Sequence, residues 1–123
     1  MNALLQDCLY PVMLGSNTLC HACVRQMQKR FGVGSTVLTG KRALTLRFLP
    51  AVRVMDASPA VADDIILSML QDVVGECGYS IPLLVLCDSA YESFVARNRT
   101  WLEARFIFRH AEEMVGRENS CEI

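Results

Sequence analysis

The sequence predicts an α/β domain, a parallel sheet of about four strands with helices on both faces. Three observations carry that prediction. Short apolar or β-branched runs alternate with longer stretches of helical periodicity, the rhythm of successive βαβ units. One run, LLVLCD at 83–88, is almost continuously apolar, as a strand buried on both faces requires. Gly, Ser, Asn and Asp cluster at the junctions between runs, where turns need them. Together these features specify a Rossmann-like three-layer sandwich.

The elements follow in order. PVMLG at 11–15 has the length and composition of a first strand. Residues 17–31 place Cys20, Cys23, Val24, Met27 and Phe31 at helical spacing, and Gly32 and Gly34 stop that helix. STVLTG at 35–40 is β-branched and bounded by turn residues, a second strand. Residues 41–49 read as a short helix and VRVMDA at 52–57 as a third strand. Ser58-Pro59 looks like an N-cap followed by proline at the first helical position. The helix it opens has an apolar stripe of Val61, Ile65, Ile66, Met69, Leu70, Val73 and Val74. Pro82 precedes the buried strand LLVLCD. The stretch from Ser89 is helical, in two pieces broken near Asn98. FIF at 106–108 reads as a short last strand, and another helical pattern starts near His110.

A chain of 123 residues, 52% of them hydrophobic, is enough for one domain with a real core. Residues 1–123 are therefore expected to form a single unit. The formal net charge is −1, so no overall field recruits nucleic acid or an anionic membrane. Lys29, Arg30, Lys41, Arg42 and Arg47 are scattered rather than gathered into one patch. The first ten residues, MNALLQDCLY, lack the basic start and apolar core of a secretory leader. No apolar run approaches the ~20 residues that span a bilayer. The expectation is a cytoplasmic protein whose six cysteines are mostly reduced.

Ligands of a parallel sheet sit outside the carboxyl ends of its strands. That rule directs attention to Gly15–Asn17, Thr39–Gly40, Asp56–Ser58 and Asp88–Ala90. Gly15, Ser16 and Asn17 follow the first strand and open the first helix, where backbone N–H groups favour an anion. The dinucleotide fingerprint G-x-G-x-x-G is absent, because positions 17 and 20 are Asn and Cys. The plainer role for Ser16 or Asn17 is that of helix N-cap.

Cys20-His21-Ala22-Cys23 has the look of a metal half-site. A structural zinc site needs four ligands, and Cys8, Cys77, Cys87 and Cys121 form no second Cys-x-x-Cys. Both cysteines also fall on the apolar stripe of their helix, where cysteine is a common small core residue. No metal ligands are assigned. Asp56 ends a strand as the phospho-acceptor of a receiver domain would, but Gly15 and Ser16 stand where such a domain needs acidic Mg²⁺ ligands. Asp88 stands at a helix start, where the dipole stabilises a carboxylate. Arg97 and Arg99 read as solvated, and Phe94 and Trp101 as core. No Ser/His/Asp or Cys/His set can be assembled, so no catalytic residue is assigned.

Three blocks taken together resemble a known family. PVMLGSNTLCHACVRQMQKRFGVGSTVL at 11–38 resembles the opening of ATP-grasp carboxylate–amine ligases. That family opens with an apolar strand, a Gly/Asn turn, a helix with an arginine midway, and a glycine-led second strand. LLVLCDSAYESFVARNRTWLEARFIF at 83–108 resembles its later block, with a strand ending in Asp, then Tyr, an Asn-Arg pair and a short F-x-F strand. EEMVGRENSCEI at 112–123 is similar to the entry into the ATP-grasp module. Relatives carry Asp-Lys-Glu there, and this chain departs at the first two positions with Gly116-Arg117-Glu118.

The resemblance covers about residues 10–123 and implies the pre-ATP-grasp domain, with residues from about 110 leading into an ATP-grasp module outside this chain. Such ligases activate a carboxylate as an acyl-phosphate and couple it to an amine or thiol. ATP and Mg²⁺ belong to the later domains, so the resemblance implies no cofactor within these residues and no catalysis by them alone. It makes those ATP-grasp domains and small carboxylate or amine substrates the partners. On matching positions, Gly15, Ser16 and Asn17 are expected to face the substrate, followed by Asp88 and Tyr91. Asn98 and Arg99 are expected to organise the local helix junction. Two other classes remain open: a stand-alone Rossmann-like binding or regulatory module, and a Cys-x-x-Cys metal or redox protein.

Overall fold

The computed structural model describes residues 9–15, 17–40 and 52–114. Five strands form one sheet: β1 (Leu9–Leu14), β2 (Ser35–Thr39), β3 (Val52–Asp56), β4 (Ile81–Leu86) and β5 (Ile107–His110). Their order is β3-β2-β1-β4-β5, and every pairing is parallel. From β1 the chain steps outward to β2 and β3, then crosses back to β4 and continues to β5. The reversal lies between β1 and β4, which pair over their whole length from Leu9↔Ile81 to Leu14↔Leu86.

Side-chain alternation divides the core in two. On one face, Met13, Val37, Leu83, Val85 and Cys87 meet α1 (Thr18–Phe31) through Cys20, Cys23, Val24 and Met27. Ala111, from helical residues 111–114, joins them. On the other face, Val12, Leu14, Leu38, Leu84 and Leu86 meet three helices. These are α2 (Asp63–Glu76), α3 (Glu92–Arg97) and α4 (Arg99–Arg105), which contribute Ile66, Leu70, Val73, Phe94, Val95 and Leu102. Right-handed crossovers running in opposite directions along a sheet place their helices on opposite faces. Each fully buried Leu, Ile or Phe contributes roughly 1.5–3 kcal/mol of apolar burial, so both layers hold the sheet firmly.

The α/β sandwich is as expected, with one strand more. The last strand differs in its start from the expected FIF, because Phe106 still ends α4, its N–H donating to Leu102 O at 2.8 Å. The strand starts one residue later and runs to His110, pairing Leu83↔Ile107 through Leu86↔His110. It turns Phe108 inward and Ile107 outward.

The start of α2 also differs from expectation. Ser58 Oγ accepts the Ala60 N–H (3.2 Å) and Val61 N–H donates to Ser58 O (3.1 Å), which makes a separate turn. The helix begins at Asp63, with Ala62 as an N-cap that has no side-chain bond. The physical reason lies at Gly40. A Cβ there would stand 2.6 Å from Ser58 Cα, so the chain leaving β3 runs directly over the end of β2 before it can turn into a helix. Asp63 and Asp64 then supply the negative charge that the first turn favours. Ile65, counted in the apolar stripe, is 53% exposed.

Asn98 separates α3 from α4, as expected. Its Nδ2 donates to Phe94 O at 2.9 Å and to Asp63 Oδ2 at 3.0 Å. Gly32 ends α1 in the left-handed region with φ 68°, its N–H donating to Gln28 O. The helix expected over 41–49 and the entry segment after Met114 lie outside the described residues.

Candidate functional site at the strand ends

In an open parallel sheet the crevice opens where adjacent strands send their connections to opposite faces. Here that place is the carboxyl end of β1 and β4. Gly15 follows β1, Cys87 and Asp88 follow β4, and backbone hydrogen bonds lock them together. The N–H groups of Cys87 and Asp88 both donate to Leu14 O (3.0 and 3.1 Å). Gly15 N–H donates across to Leu38 O at 2.8 Å. On the far side, Ala57 N–H donates to Thr39 O at 3.0 Å.

Gly15 is fixed by conformation and by space. Its φ is 118°, a region that L side chains avoid. A Cβ built there would lie 2.5 Å from Asp88 Cβ and 3.0 Å from Asp88 N. Gly15 therefore lets the β4 turn close against the β1 turn. Ser16 lies outside the described residues.

Asn17 is the N-cap of α1, with extended backbone. Its Oδ1 accepts the Cys20 N–H at 3.0 Å, and its Nδ2 donates to Cys87 O at 2.9 Å. One amide thus caps the helix and ties it to the end of β4. Beyond it an open depression of about 520 Å³ runs along α1, lined by Asn17, Thr18, His21, Ala22 and Arg25.

Asp88 is half-buried beside Gly15. Its Oδ1 accepts the Ala90 N–H at 3.0 Å and opens the short 3₁₀ turn Ser89–Tyr91. Tyr91 points away from solvent and is 1% exposed. Its hydroxyl donates to Ala57 O, joining the β4 turn to the end of β3. Burial first, then the negative charges of Asp88 and Asp56, push its phenol up to about 12, against a backbone hydrogen bond from Gly40. The structure therefore gathers Gly15, Asn17 and Asp88 at one edge and places the Tyr91 hydroxyl beneath it.

Cys20 and Cys23 are completely buried against the sheet. Their helical spacing placed both on the apolar stripe but did not reveal their neighbour. Cys87, 4% exposed, faces them from the end of β4. Its thiol donates to Val85 O at 3.9 Å. The hydrogen bond from Cys87 lowers the Cys23 thiol, against burial and the charge of Glu112. Its bonds to Cys20 and Cys23, with burial, push Cys87 far up. The only available hint was that Cys87 shares the period of Leu83 and Val85. Among the described residues, no group of three or more His, Cys, Asp or Glu side chains is placed to hold a metal ion.

Asp63, Arg97 and Asn98 form a second polar group that sequence reasoning did not connect. Arg97 grips Asp63 with two bonds of 2.8 Å, and those bonds and the one from Asn98 bring its carboxyl down to about 2. Its position on the helix layer makes it a brace between α2 and α3. No helix among the described residues is long and apolar enough to cross a membrane. Comparison with protein-family models, with curated proteins and with solved structures finds no match.

Proposed function

We propose that this chain is the N-terminal, substrate-side domain of a cytoplasmic ATP-dependent carboxylate–amine (or thiol) ligase of the ATP-grasp type. In that role it positions substrate and supports the catalytic core without catalysis of its own. The observation that carries the proposal is the Asn17 side chain. It bonds the turn after β1 to the end of β4, which joins the two sequence blocks that resemble the family. The first block spans β1, α1 and β2, and the second spans β4, α3, α4 and β5. Their turns meet at the switch point, with Gly15, Asn17 and Asp88 side by side.

In such an enzyme the edge faces a carboxylate or amine substrate, and the acyl-phosphate forms in ATP-grasp domains beyond these residues. ATP and Mg²⁺ are held there too. The partners are those domains and the small substrates, with no role for nucleic acid or membrane.

Two measurements test the proposal. The isolated chain is mixed with ATP, Mg²⁺ and amino acids. No phosphate release above background and no nucleotide-induced thermal shift are expected. A shift of several degrees with ATP or NAD would instead establish a stand-alone nucleotide-binding module. In a polypeptide that continues into an ATP-grasp module, Asp88→Asn keeps the turn acceptor and removes the charge. It is expected to raise KM for the carboxylate or amine substrate by about tenfold, leaving KM for ATP unchanged. The reverse pattern would exclude the substrate-side role.

A further inference from the structure

The two faces of the sheet are unequally covered. Three helices pack on one face. Among the described residues, the helical segments packed on the other are α1 and residues 111–114. β5 is the edge strand on that side. It pairs Ile107 with Leu83 and Arg109 with Val85, so alternation sets both side chains on the α1 face. Ile107 is 42% exposed there, and Arg109 is exposed beside it. Between α1 and β5 lies a depression of about 330 Å³, within the range of small-molecule sites. Leu9 and Ile107, the first residues of β1 and β5, both line it. It therefore lies at the opposite end of the sheet from Gly15, Asn17 and Asp88.

The depression is amphipathic. Buried Met27 and Leu83 and half-buried Phe31 and Met114 give it an apolar lining. Gln26 closes one end, its Nε2 donating to Met114 O at 3.4 Å and tying residues 111–114 to α1. Arg30 enters from α1 and Arg109 from β5. Arg109 Nη1 donates to Phe108 O at 2.7 Å, which holds the guanidinium against its own strand and uses one of its N–H donors. Glu113 also lines the depression, but its Oε1 already accepts the His110 N–H at 3.1 Å, as the acid of a capping box does.

We propose that this depression binds a medium-chain alkyl carboxylate. The chain lies on Phe31, Leu83 and Ile107, and Arg109 with Arg30 receives the carboxylate. Charge complementarity selects the head group: two guanidiniums stand against one acid that is engaged elsewhere, and a guanidinium fork matches a carboxylate. The apolar lining selects the body, because an alkyl chain gains by leaving water there and a sugar or polyphosphate does not. A volume of about 330 Å³ holds about ten water-sized groups, which sets the chain at about eight to ten carbons. The inference rests on this sheet face alone and stands or falls separately from the ligase role.

Methionine methyl resonances report on the site directly, because Met27 and Met114 line it whereas Met55 and Met69 pack on the opposite face of the sheet. The full chain with isotope-labelled methionine methyl groups is titrated with octanoate at neutral pH. Saturable shifts are expected at Met27 and Met114, with a Kd of about 1 mM or tighter, while Met55 and Met69 stay still. Octanol has the same chain without the charge and should bind about tenfold more weakly. Octylamine, with the opposite charge, should leave those methyls unshifted. Arg109→Gln should weaken octanoate about tenfold and leave octanol unchanged, a split that general damage to the fold would not produce. Ile107→Glu, at an exposed position, should abolish octanoate binding and leave the Met55 and Met69 resonances in place. No saturable shift at millimolar octanoate, equal affinity for octanol, shifts spread over both faces of the sheet, or displacement of octanoate by equimolar inorganic phosphate would each overturn the proposal.

Discussion

Replacing Asn17 with alanine tests the junction on which the strand-end site depends. The side chain makes two separate contributions. Its Oδ1 caps α1 through the Cys20 N–H at 3.0 Å, and loss of such a cap costs about 1 kcal/mol. Its Nδ2 donates to Cys87 O at 2.9 Å across seventy residues of chain, and loss of that bond costs about 1 kcal/mol more. Asn17→Ala should therefore destabilise the chain by about 2 kcal/mol, a fall in Tm of roughly 6–10 °C for a domain of this size. Asn17→Ser separates the two parts. Serine still caps a helix but is too short to reach Cys87 O, so it should lose about half as much. Urea unfolding of the three proteins, with equal m-values, gives the comparison. The assigned bridge is refuted if the alanine variant lies within about 0.5 kcal/mol of the parent.

Gly15→Ala should cost more, above about 3 kcal/mol, because the new methyl meets Asp88 at a φ of 118°; chemical denaturation measures it. Tyr91→Phe removes the bond to Ala57 O and should lower stability by about 1–2 kcal/mol, with little change in the circular dichroism spectrum. The parent tyrosine also leaves a pH signature. Its folded pKa is raised to about 12, so its contribution is complete below the usual phenol range near about 10 and is lost as pH rises through the folded value. Absorbance titration should show one late-ionising tyrosine, absent from Tyr91→Phe. Asp63 acts in the opposite sense. Its pKa is lowered to about 2, so its stabilisation is present above the ordinary aspartate range and disappears as pH falls through the folded value. Asp63→Asn should flatten the acid limb of the stability profile between about pH 4 and pH 2, as followed by thermal melts.

The layer architecture was legible because its signal is local. Short apolar or β-branched runs and a 3.6-residue stripe mark strands and helices whatever their neighbours do. A cap at Ser16 or Asn17, Gly32 as a stop and the break at Asn98 were legible for the same reason, since caps and breaks are chemistry within one turn; the structure selects Asn17 as the cap. The differences arise where distant backbone intervenes. Ser58-Pro59 has every local mark of a helix start, yet Ser58 passes close over Gly40 and the helix waits until Asp63. Cys87 reads as the tail of a strand, and nothing in its own neighbourhood announces the two thiols on α1. Tyr91 belongs to the edge by its distance from Asp88, while its hydroxyl turns inward to Ala57. Strand order itself is encoded in no single pair of residues. It emerges from which helix stripes match which sheet faces.

The same edge geometry bears on the choice between a nucleotide and a small substrate. A dinucleotide site needs bare glycine backbone at the strand-to-helix turn, so that pyrophosphate can approach the helix N-terminus. Here position 17 carries a side chain, and its amide is already committed to Cys87 O and the Cys20 N–H. The β4 turn closes on Gly15 so tightly that a methyl group has no room. That turn also sets the half-buried Asp88 carboxylate beside Gly15, where a negative charge repels phosphate and attracts an amine. The start of α1 at Asn17 and the Asp88 carboxylate thus supply both signs of charge at one edge of the sheet. On the proposed reading, that arrangement receives a zwitterionic or amine-bearing substrate rather than a polyphosphate. It is the reason ATP is expected to leave the isolated chain unshifted while loss of the Asp88 charge registers on the other substrate.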